Sequence, residues 1–396
     1  MSTHLAKDMN VVVFNVGSSS LSFKLYRDSS VLVSGKCHRV GVSGREASYI
    51  EIFDGDHTVE TVELHDHRAA AAFVLDHLER RQIRIDAAGH RFADGGAYFT
   101  RSVAVTLETR PLLERCVSLA PLHNAAALNI VDLVDNRLRG VPQYVVFDST
   151  FHATLPEVAR TYALPAALAD RFKKHGFHGL SYADVLAKAQ QYLGENVFKA
   201  VVLHLGTGGS SACAIADGRS IDTSMGYSPL QGLVMNTRCG DLDPGILVEL
   251  VREGYSAADL TRLLHHESGL FGLSGGLSAD IRDLMAVMNE DTRARLAFEL
   301  YVYRAKQYVG AYTCVLNGID VLIFTDDVGL SVPEVRSAIC RNMDVIGIRL
   351  DDERNAAACA DRIEPLHCDG ARVRILAIPN DEESVIYDEG LRLLGA

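Results

Sequence analysis

Two segments of the chain share one pattern, in which a β-branched run is followed by a turn of small residues and a second apolar run. They are residues 11–24, VVVFNVGSSSLSFK, and residues 201–214, VVLHLGTGGSSACA. Each predicts a strand, a tight turn and a return strand. The small residues let backbone N–H groups approach an anion closely, and the hydroxyl groups add donors. One such turn in each half of the chain indicates two lobes that bind one phosphate chain.

The length and the apolar pattern predict two α/β lobes. A chain of 396 residues is too long for one typical core, so two domains are expected. The chain divides most naturally near Asp148. Runs typical of strands are residues 30–34, 144–147, 200–205 and 321–325, and runs with helical periodicity are residues 68–81, 125–139, 182–192, 280–288 and 293–316.

Composition excludes several classes of protein. A formal net charge of −12 argues against non-specific nucleic-acid binding. No apolar run is long enough to cross a bilayer, and residues 1–8 lack the apolar stretch of a signal peptide. The eight cysteines form no C-x-x-C pair, which argues against a disulfide framework or a zinc site. These features predict a reduced, cytoplasmic protein without nucleic-acid or membrane partners.

Three residues stand where phosphate chemistry would need them. Arg91, between glycine-containing turns, suits bidentate contact with a carboxylate or phosphate, although a surface arginine fits the same pattern. Asp148 follows a buried-looking strand and is a candidate Mg²⁺ ligand or a helix N-cap. His178 lies between two glycines, where it is either structural or a donor to a transferring phosphoryl group.

The stretch 220–245 is long, polar and punctuated by glycine, yet it is rich in Met and Leu. Long loops of this kind within compact domains are usually functional. Arg238, in this stretch, is the expected second anion clamp beside Arg91.

These motifs resemble the acetate kinase family of the actin/sugar kinase/Hsp70 superfamily. The similarity runs nearly from end to end and is carried by residues 14–21, 119–124, 147–152, 220–245 and 378–383. It implies an α/β, two-lobed actin-like fold, a duplicated ribonuclease H-like architecture with the active site in the interdomain cleft. The N-terminal lobe would be residues 1–147 joined by residues 384–396. Residues 148–383 would form the C-terminal lobe, with the phosphate-donor site and the dimer contacts.

The resemblance also implies the reaction, which is reversible phosphoryl transfer from ATP to acetate or propionate, giving an acyl phosphate and ADP. Arg91 and Arg238 would hold the carboxylate and the transferring phosphoryl group, and His178 would stabilise the transition state. Asn15, Asp148 and Glu382 would serve Mg²⁺, and Asp148 would belong to the catalytic set. The family further suggests a homodimer formed through the second lobe.

Two larger sets of residues follow from the same resemblance. The phosphate and nucleotide contacts are expected at Asn15, Ser18, Ser22, His204, Gly206, Thr207, Gly208, Asp280, Arg282, Asp327 and Gly329. The acyl pocket is expected at Ala93, Leu122, Phe177 and Pro229. Because relatives that prefer acetate tend to carry valine at the position of Ala93, the smaller residue predicts room for propionate.

The chain departs from the family pattern near the nucleotide. Lysine, histidine and asparagine are usual where Ser22, Asp94 and Thr207 stand, and a Gly-Ile-Gly-Glu-Asn loop is usual where this chain has residues 327–331, DVGLS. Asp327 replaces the first glycine, and a carboxylate there repels a phosphate. The departure predicts weak ATP binding. It leaves open pyrophosphate, which some members of the family use, or another compact donor, as well as a degenerate non-catalytic homologue, although the retained arginines, histidine and carboxylates argue against the last.

Overall fold

The computed structural model describes residues 9–42 and 47–395. Residues 1–8, on which the expectation about a signal peptide rests, lie outside this range. The chain divides into two compact units, a first unit of Met1–Thr150 with Asp381–Ala396 and a second unit of Phe151–Asn380. Among the helices of the described residues, none combines the length and the apolar character that a membrane crossing requires.

The strands follow one another in two groups along the chain. They are β1 (Asn10–Val16), β2 (Ser20–Arg27), β3 (Ser30–His38), β4 (Tyr49–Phe53), β5 (His57–Thr61), β6 (Ala87–Phe92), β7 (Val103–Ala104), β8 (Gln143–Phe147), β9 (Lys199–Gly206), β10 (Gly209–Ala216), β11 (Arg219–Thr223), β12 (Val321–Thr325), β13 (Glu364–Pro365) and β14 (Arg374–Ala377). The four predicted strand runs lie within β3, β8, β9 and β12 and are confirmed.

The helices are α1 (His67–Arg80), α2 (Arg110–Cys116), α3 (Pro121–Arg137), α4 (Glu157–Arg160), α5 (Ala166–Arg171), α6 (Gly179–Leu193), α7 (Pro244–Arg252), α8 (Ala257–His266), α9 (Gly269–Leu273), α10 (Ile281–Val287), α11 (Thr292–Val315), α12 (Asp326–Ser331), α13 (Pro333–Cys340), α14 (Asp352–Ala357) and α15 (Glu382–Leu394). Short 3₁₀ helices span Asp148–Thr154 and Asp344–Ile346. The predicted helices are confirmed as α1, α3, α6, α10 and α11. Helix α3 begins earlier than predicted because proline is well suited to a first helical turn.

The two units contain sheets with the same central arrangement. The strand order is β5-β4-β3-β2-β1-β6-β8-β7 in the first unit and β11-β10-β9-β12-β14-β13 in the second. In each, a three-stranded antiparallel meander (β1–β3 or β9–β11) is extended by two parallel strands beyond its first strand. The cores β3-β2-β1-β6-β8 and β11-β10-β9-β12-β14 therefore match strand for strand.

Both predicted strand–turn–strand motifs are hairpins. In the first, Asn15 pairs with Ser22 and Val16 with Leu21. In the second, Gly206 pairs with Gly209, so the turn consists of Thr207 and Gly208. We call the first loop, residues 17–19, the first turn, and residues 206–209 the second turn. The strands that lead into these turns are almost entirely buried, so each turn begins from a fixed position.

Candidate active site

Arg91 and Asp148 form an ion pair in the first unit. Arg91 Nη2 donates to Asp148 Oδ2 at 2.5 Å, and Arg91 Nε donates to Oδ1 at 3.2 Å. Arg91 Nη1 donates to the carbonyl oxygen of Val16 at 2.6 Å, beside the first turn. The contact arises because β1, β6 and β8 are parallel neighbours, so that the carboxyl ends of all three meet at one edge of the sheet.

Glu382 joins this pair from the start of α15. Its Oε2 accepts a hydrogen bond from Asn15 Nδ2 at 3.0 Å and lies 3.9 Å from Arg91 Nε. Asn15 Nδ2 also donates to Glu383 Oε1 at 2.9 Å. Carboxylates in the first turn of a helix are stabilised by the helix dipole. The first unit therefore brings together Asn15, Arg91, Asp148 and Glu382.

The environment of Arg91 is strongly anionic. Burial alone would lower the pKa of its guanidinium, but the Asp148 and Glu382 carboxylates more than offset that effect and raise the pKa above its ordinary value. The bidentate contact fixes the plane of the guanidinium against Asp148. Arg91 is consequently a neutralised cation that holds two carboxylates in place.

The oxygen set around Arg91 fits a magnesium ion. Mg²⁺ prefers carboxylate and amide oxygens and is usually held by one or two carboxylates, with water completing its shell. Asn15, Asp148 and Glu382 supply that chemistry. Among residues 9–42 and 47–395, no group of three or more His, Cys, Asp or Glu side chains is arranged as a cage for a metal ion. The fit is thus to a hydrated ion held by few protein ligands.

Lys24 is a first-unit residue that the sequence reasoning missed. Its Nζ lies 2.6 Å from Asp381 Oδ2 and 3.7 Å from Glu383 Oε2. Ser22, where the family has lysine, lies two residues earlier on β2 and opposite Asn15. Because side chains alternate along a strand, Ser22 and Lys24 share a face. Period-two alternation was the signal that could have indicated Lys24 as a cation beside the acidic start of α15.

His178 holds a special backbone position in the second unit. It is the N-cap of α6, with a left-handed φ of 59°, which agrees with the prediction that it lies off a regular helix face. Its Nδ1 lies 2.8 Å from Ser211 Oγ, and the same oxygen is hydrogen-bonded to the Tyr182 hydroxyl. His178 is thus held at the start of its helix by two polar groups of the core.

The protons of this small network have a preferred direction. Burial raises the pKa of Tyr182 well above its ordinary value, so the phenol keeps its proton. Because Ser211 is the partner that the structure gives the Tyr182 hydroxyl, Tyr182 donates to Ser211, and Ser211 donates to His178 Nδ1. His178 then carries its proton on Nε2. A neutral imidazole in this tautomer is a hydrogen-bond donor through Nε2–H.

His204 packs face to face with His178, with ring centroids 4.0 Å apart. Its Nδ1 lies 2.9 Å from Ser181 Oγ, and its Nε2 lies 3.1 Å from Asp326 Oδ2. Both ring nitrogens of His204 are therefore engaged within the second unit. His204 supports the His178 ring and links it to the start of α12.

Arg238 lies against the second turn. A Cβ atom at Gly209 would lie 3.2 Å from Arg238 Nη1 and 3.6 Å from His178 Nε2, and Gly209 has a φ of +155°. Glycine is therefore required here both by conformation and by the close approach of the two cation-type side chains. The Arg238 guanidinium and the His178 ring meet at one glycine.

The charge of Arg238 is not neutralised by a neighbouring residue. Its hydrogen-bond partner in the described part of the chain is the Met235 sulfur, at 3.8 Å, and no carboxylate there lies within ion-pair distance of it. Burial lowers the pKa of its guanidinium. A partly buried arginine without a carboxylate is costly unless an anion binds it. Arg238 therefore marks an anion site.

The second turn is flanked by the start of α12. The backbone N–H of Thr207 donates to Asp327 Oδ1 at 2.8 Å, and Asp327 Oδ2 lies 3.7 Å from Arg282 Nη2. A side chain at Gly206 would overlap the Asp326 carboxylate. Where the family pattern implies a glycine-rich loop, this chain forms the helix α12, with Gly329 buried in it.

Asp280 and Arg282 lie at the start of α10. Asp280 is the helix N-cap, and its two carboxylate oxygens accept from Arg282 Nε at 2.8 Å and from Nη2 at 2.5 Å. The hydrogen bonds from the Arg282 side chain lower the pKa of Asp280. Arg282 therefore faces two carboxylates, Asp280 and Asp327.

The four residues expected to line the acyl pocket differ in burial. Ala93 and Phe177 are buried, Pro229 is partly buried, and Leu122 is 61% exposed. Ala93 and Leu122 belong to the first unit, and Phe177 and Pro229 to the second. Ala93 follows β6, and its backbone N–H donates to Asn124 Oδ1 at 2.9 Å. The assignment of these residues to a pocket stays a prediction.

Ser18 is exposed in the first turn, and Gly208 is exposed in the second turn with open space around its Cα. The predicted site residues thus form two groups. Asn15, Ser18, Ser22, Arg91, Asp148 and Glu382 surround the first turn in the first unit. His178, His204, Gly206, Thr207, Gly208, Arg238, Asp280, Arg282, Asp327 and Gly329 belong to the second unit.

Comparison with known proteins assigns these groups to a family. The model of the acetokinase family matches residues 10–388. The chain belongs to the acetokinase family. It is 39% identical to the acetate kinase of Moorella thermoacetica, an alignment that covers 98% of this chain and all of the relative.

Solved structures of the acetokinase family agree with the fold. An acetate kinase from Entamoeba histolytica is 36% identical, has a TM-score of 0.89, and is matched over 98% of this chain and all of that one. A propionate kinase from Francisella tularensis is 31% identical, has a TM-score of 0.88, and is matched over 96% of this chain and 98% of that one. The predicted α/β, two-lobed actin-like fold class is confirmed. The predicted enzyme class, a phosphotransferase with a carboxyl group as acceptor, is confirmed with the family.

His90, beside Arg91 on β6, makes the stability of this acetokinase pH-dependent. It is buried, and its Nε2 donates to Gln143 Oε1 at 2.8 Å. Burial lowers its pKa from 6.5 to about 4. The unfolded chain takes up a proton at this residue near pH 6.5 and the folded chain does not, so the stability that His90 contributes is present above that pH. It is lost as the pH falls towards 4.

We therefore expect His90→Gln, which keeps a hydrogen-bonding side chain, to flatten this pH dependence. Between about pH 7 and about pH 5, the variant should lose about 1–2 kcal/mol less of its free energy of unfolding than the wild type. Urea titrations at the two pH values measure the difference. The same substitution at the exposed His57 is the control, and equal losses in wild type and His90→Gln would contradict the assignment.

Proposed function

We propose that this chain is an ATP-dependent acetate kinase that also accepts propionate. A carboxylate oxygen of the acid attacks the γ-phosphorus of ATP, the bond from that phosphorus to the bridging oxygen breaks, and acyl phosphate and ADP are formed. One observation carries the proposal, which is the partly buried Arg238, held with His178 at the glycine turn and without a carboxylate partner. The names of the full-length relatives, which are acetate kinases, support the choice of acid.

The second-unit residues suit a transferring phosphoryl group. Negative charge spreads over its oxygens in the transition state, and catalysis depends on positioned cations and donors. Arg238 supplies a fixed positive charge. His178, kept protonated on Nε2 by the Ser211–Tyr182 network, supplies a hydrogen bond without a change in its own charge.

The first-unit residues suit the metal and the orientation of the reactants. Asp148 and Glu382, with Asn15, would hold Mg²⁺, directly or through its water molecules. When bound, Mg²⁺ neutralises phosphate charge on the donor. Arg91 keeps both carboxylates in place through the contacts at 2.5 Å and 3.9 Å. Its role is therefore to orient the acidic group as well as to attract the anionic substrate.

Nothing in the comparisons favours either alternative left open by the sequence. The relatives that match over the full length are named acetate kinases, and the chain retains the arginines, the histidine and the carboxylates of the proposed site. A phosphoryl donor other than ATP and a non-catalytic homologue are therefore not adopted.

Replacement of Arg238 by alanine should reduce kcat/KM by about 10³-fold or more, because a phosphoryl-clamping arginine acts mainly in the transition state. Lysine should restore little, since it lacks the planar fork of donors. Hydroxamate trapping of acyl phosphate measures the loss. Arg372→Ala, at an exposed arginine of the same unit, is the matched control. Near-native turnover of Arg238→Ala would exclude this residue from the reaction.

The choice of acid is expected to depend on Ala93. Because this buried residue is small, the native enzyme should use propionate at least as well as acetate. Ala93→Val should shift the preference towards acetate, by about 1–3 kcal/mol in relative transition-state stabilisation, the usual value of one methylene in a small apolar pocket. Competing kcat/KM values for the two acids measure the shift. A native enzyme that rejects propionate more than about tenfold would refute the pocket assignment.

We also propose that two copies associate through α7 and α8 of the second unit. Neither helix contains a buried residue. On α7, Ile246, Val248 and Val251 are 47%, 52% and 56% exposed. Short helices are marginal in water without a packed apolar face, and grouped exposed apolar residues mark interaction surfaces. A second copy of this chain, as the family resemblance implies, would cover this face.

Light scattering coupled to size exclusion should give the mass of a dimer for the wild type. The double variant Ile246→Lys, Val251→Lys should give a monomer, because it places like charges on both sides of the interface. Val158→Lys, at a valine that is 88% exposed on α4, should leave the mass unchanged. A wild type that elutes as a monomer at micromolar concentration would refute the proposal.

A further inference from the structure

The second turn already binds an anion that belongs to the chain itself. Asp327 Oδ1 accepts the backbone N–H of Thr207 at 2.8 Å. Glycine-rich turns bind phosphate through this kind of backbone donor. In this chain the donor is satisfied by a carboxylate from 120 residues away in the sequence.

The neighbouring carboxylate reinforces the arrangement. Asp326 Oδ2 is paired with His204 Nε2 at 3.1 Å and lies directly over the Cα of Gly206. Asp326 adopts a left-handed φ of 65°, a conformation that non-glycine residues rarely take. Two successive carboxylates are therefore directed at one turn.

The segment that presents these carboxylates is firmly anchored. Arg336 is fully buried and donates to the carbonyl oxygens of Gly329 and Leu330, at 2.9 and 2.6 Å, in α12. It also donates to Asn355 Oδ1 and to the Asn355 carbonyl oxygen, at 2.7 and 2.9 Å. Because the backbone of α12 is fixed in this way, release of the turn requires only a change of side-chain rotamer at Asp327.

We infer that Asp327 is a specificity-determining residue that competes with the donor phosphate for the second turn. This inference rests on the proposed function, because it takes the second turn to be the place where the phosphoryl donor binds. A donor phosphate gains the Thr207 N–H only when the Asp327 carboxylate leaves it. Binding of the donor is therefore weakened by the displacement and by repulsion between like charges.

Arg282 gives the displaced carboxylate a place to go. Its Nη2 lies 3.7 Å from Asp327 Oδ2 and is about half exposed. Rotation of Asp327 towards Arg282 exchanges a backbone hydrogen bond for a closer ion pair. Two states of one side chain, on Thr207 or on Arg282, thus correspond to a closed and an open turn.

The test is calorimetric titration of ADP and, separately, of pyrophosphate in Mg²⁺ buffer, with the full-length wild type, Asp327→Asn and Asp327→Gly. Asp327→Asn removes the charge and keeps the size. We expect it to tighten the binding of both probes by about three- to tenfold, the effect of one charge a few ångströms from a phosphate near a surface. The gain should shrink at high salt.

Asp320→Asn is the matched control. Asp320 Oδ2 accepts the backbone N–H of Lys199 at 2.8 Å, the same type of contact at the opposite end of β9. This variant should leave both affinities unchanged. A second readout is the KM for ATP, which should fall in Asp327→Asn while the KM for acetate stays constant.

Three results would overturn the inference. Unchanged affinities in Asp327→Asn, a gain as large in Asp320→Asn, or a gain confined to ADP in Asp327→Gly would show that charge at the turn does not govern donor binding; the last would indicate steric exclusion of the nucleoside. Failure of the proposed function is a separate outcome. In that case the wild type forms no acyl hydroxamate from ATP and acetate, whatever the titrations show.

Discussion

Parallel pairing of the first hairpin strand with two later strands determines where the charged groups of each unit lie. In the first unit β1 pairs with β6, and β6 with β8, while in the second unit β9 pairs with β12, and β12 with β14. Parallel strands end at the same edge of a sheet. The turn that follows the hairpin strand therefore meets whatever residues follow its neighbours. Arg91 and Asp148 reach the first turn in this way, and Asp326 and Asp327 reach the second.

The same topology supports two different electrostatic solutions. Arg91 is surrounded by carboxylates, which raise its pKa, and it acts as an internal counter-ion. Arg238 is desolvated without a carboxylate, and its pKa is lowered. A neutralised arginine stabilises the arrangement of the protein, whereas an unneutralised one stabilises a bound anion. The difference between them, rather than the presence of two arginines, separates the residue that organises the acidic group from the residue expected to contact the phosphoryl group.

The second turn illustrates how an anion site can be regulated by the chain that builds it. His204 and Thr207 each bind a carboxylate of α12, and Arg336 fixes that helix from within the core. Burial lowers the pKa of Arg336 to about 10, which leaves it charged at neutral pH. A buried guanidinium satisfied by carbonyl and amide oxygens is a rigid anchor. Rigidity of the α12 backbone confines the exchange between protein and phosphate anions to the Asp327 side chain.

Local pattern determined much of what could be known in advance. The two hairpins, the long helices and the α/β class follow from the alternation and periodicity of neighbouring residues, and the motif around residues 220–245 indicated the family. Arg91, Asp148, His178 and Arg238 were recognisable as candidates from their surroundings in the chain. Tertiary structure alone decided their partners, because the Arg91–Asp148 pair joins residues 57 positions apart and the Thr207–Asp327 pair joins residues 120 apart. It also revealed Lys24 beside Asp381 and the helix at residues 326–331. Periodicity is a short-range property of the backbone, whereas the pairing of charges depends on which strands become neighbours, and that is fixed only when the whole core packs.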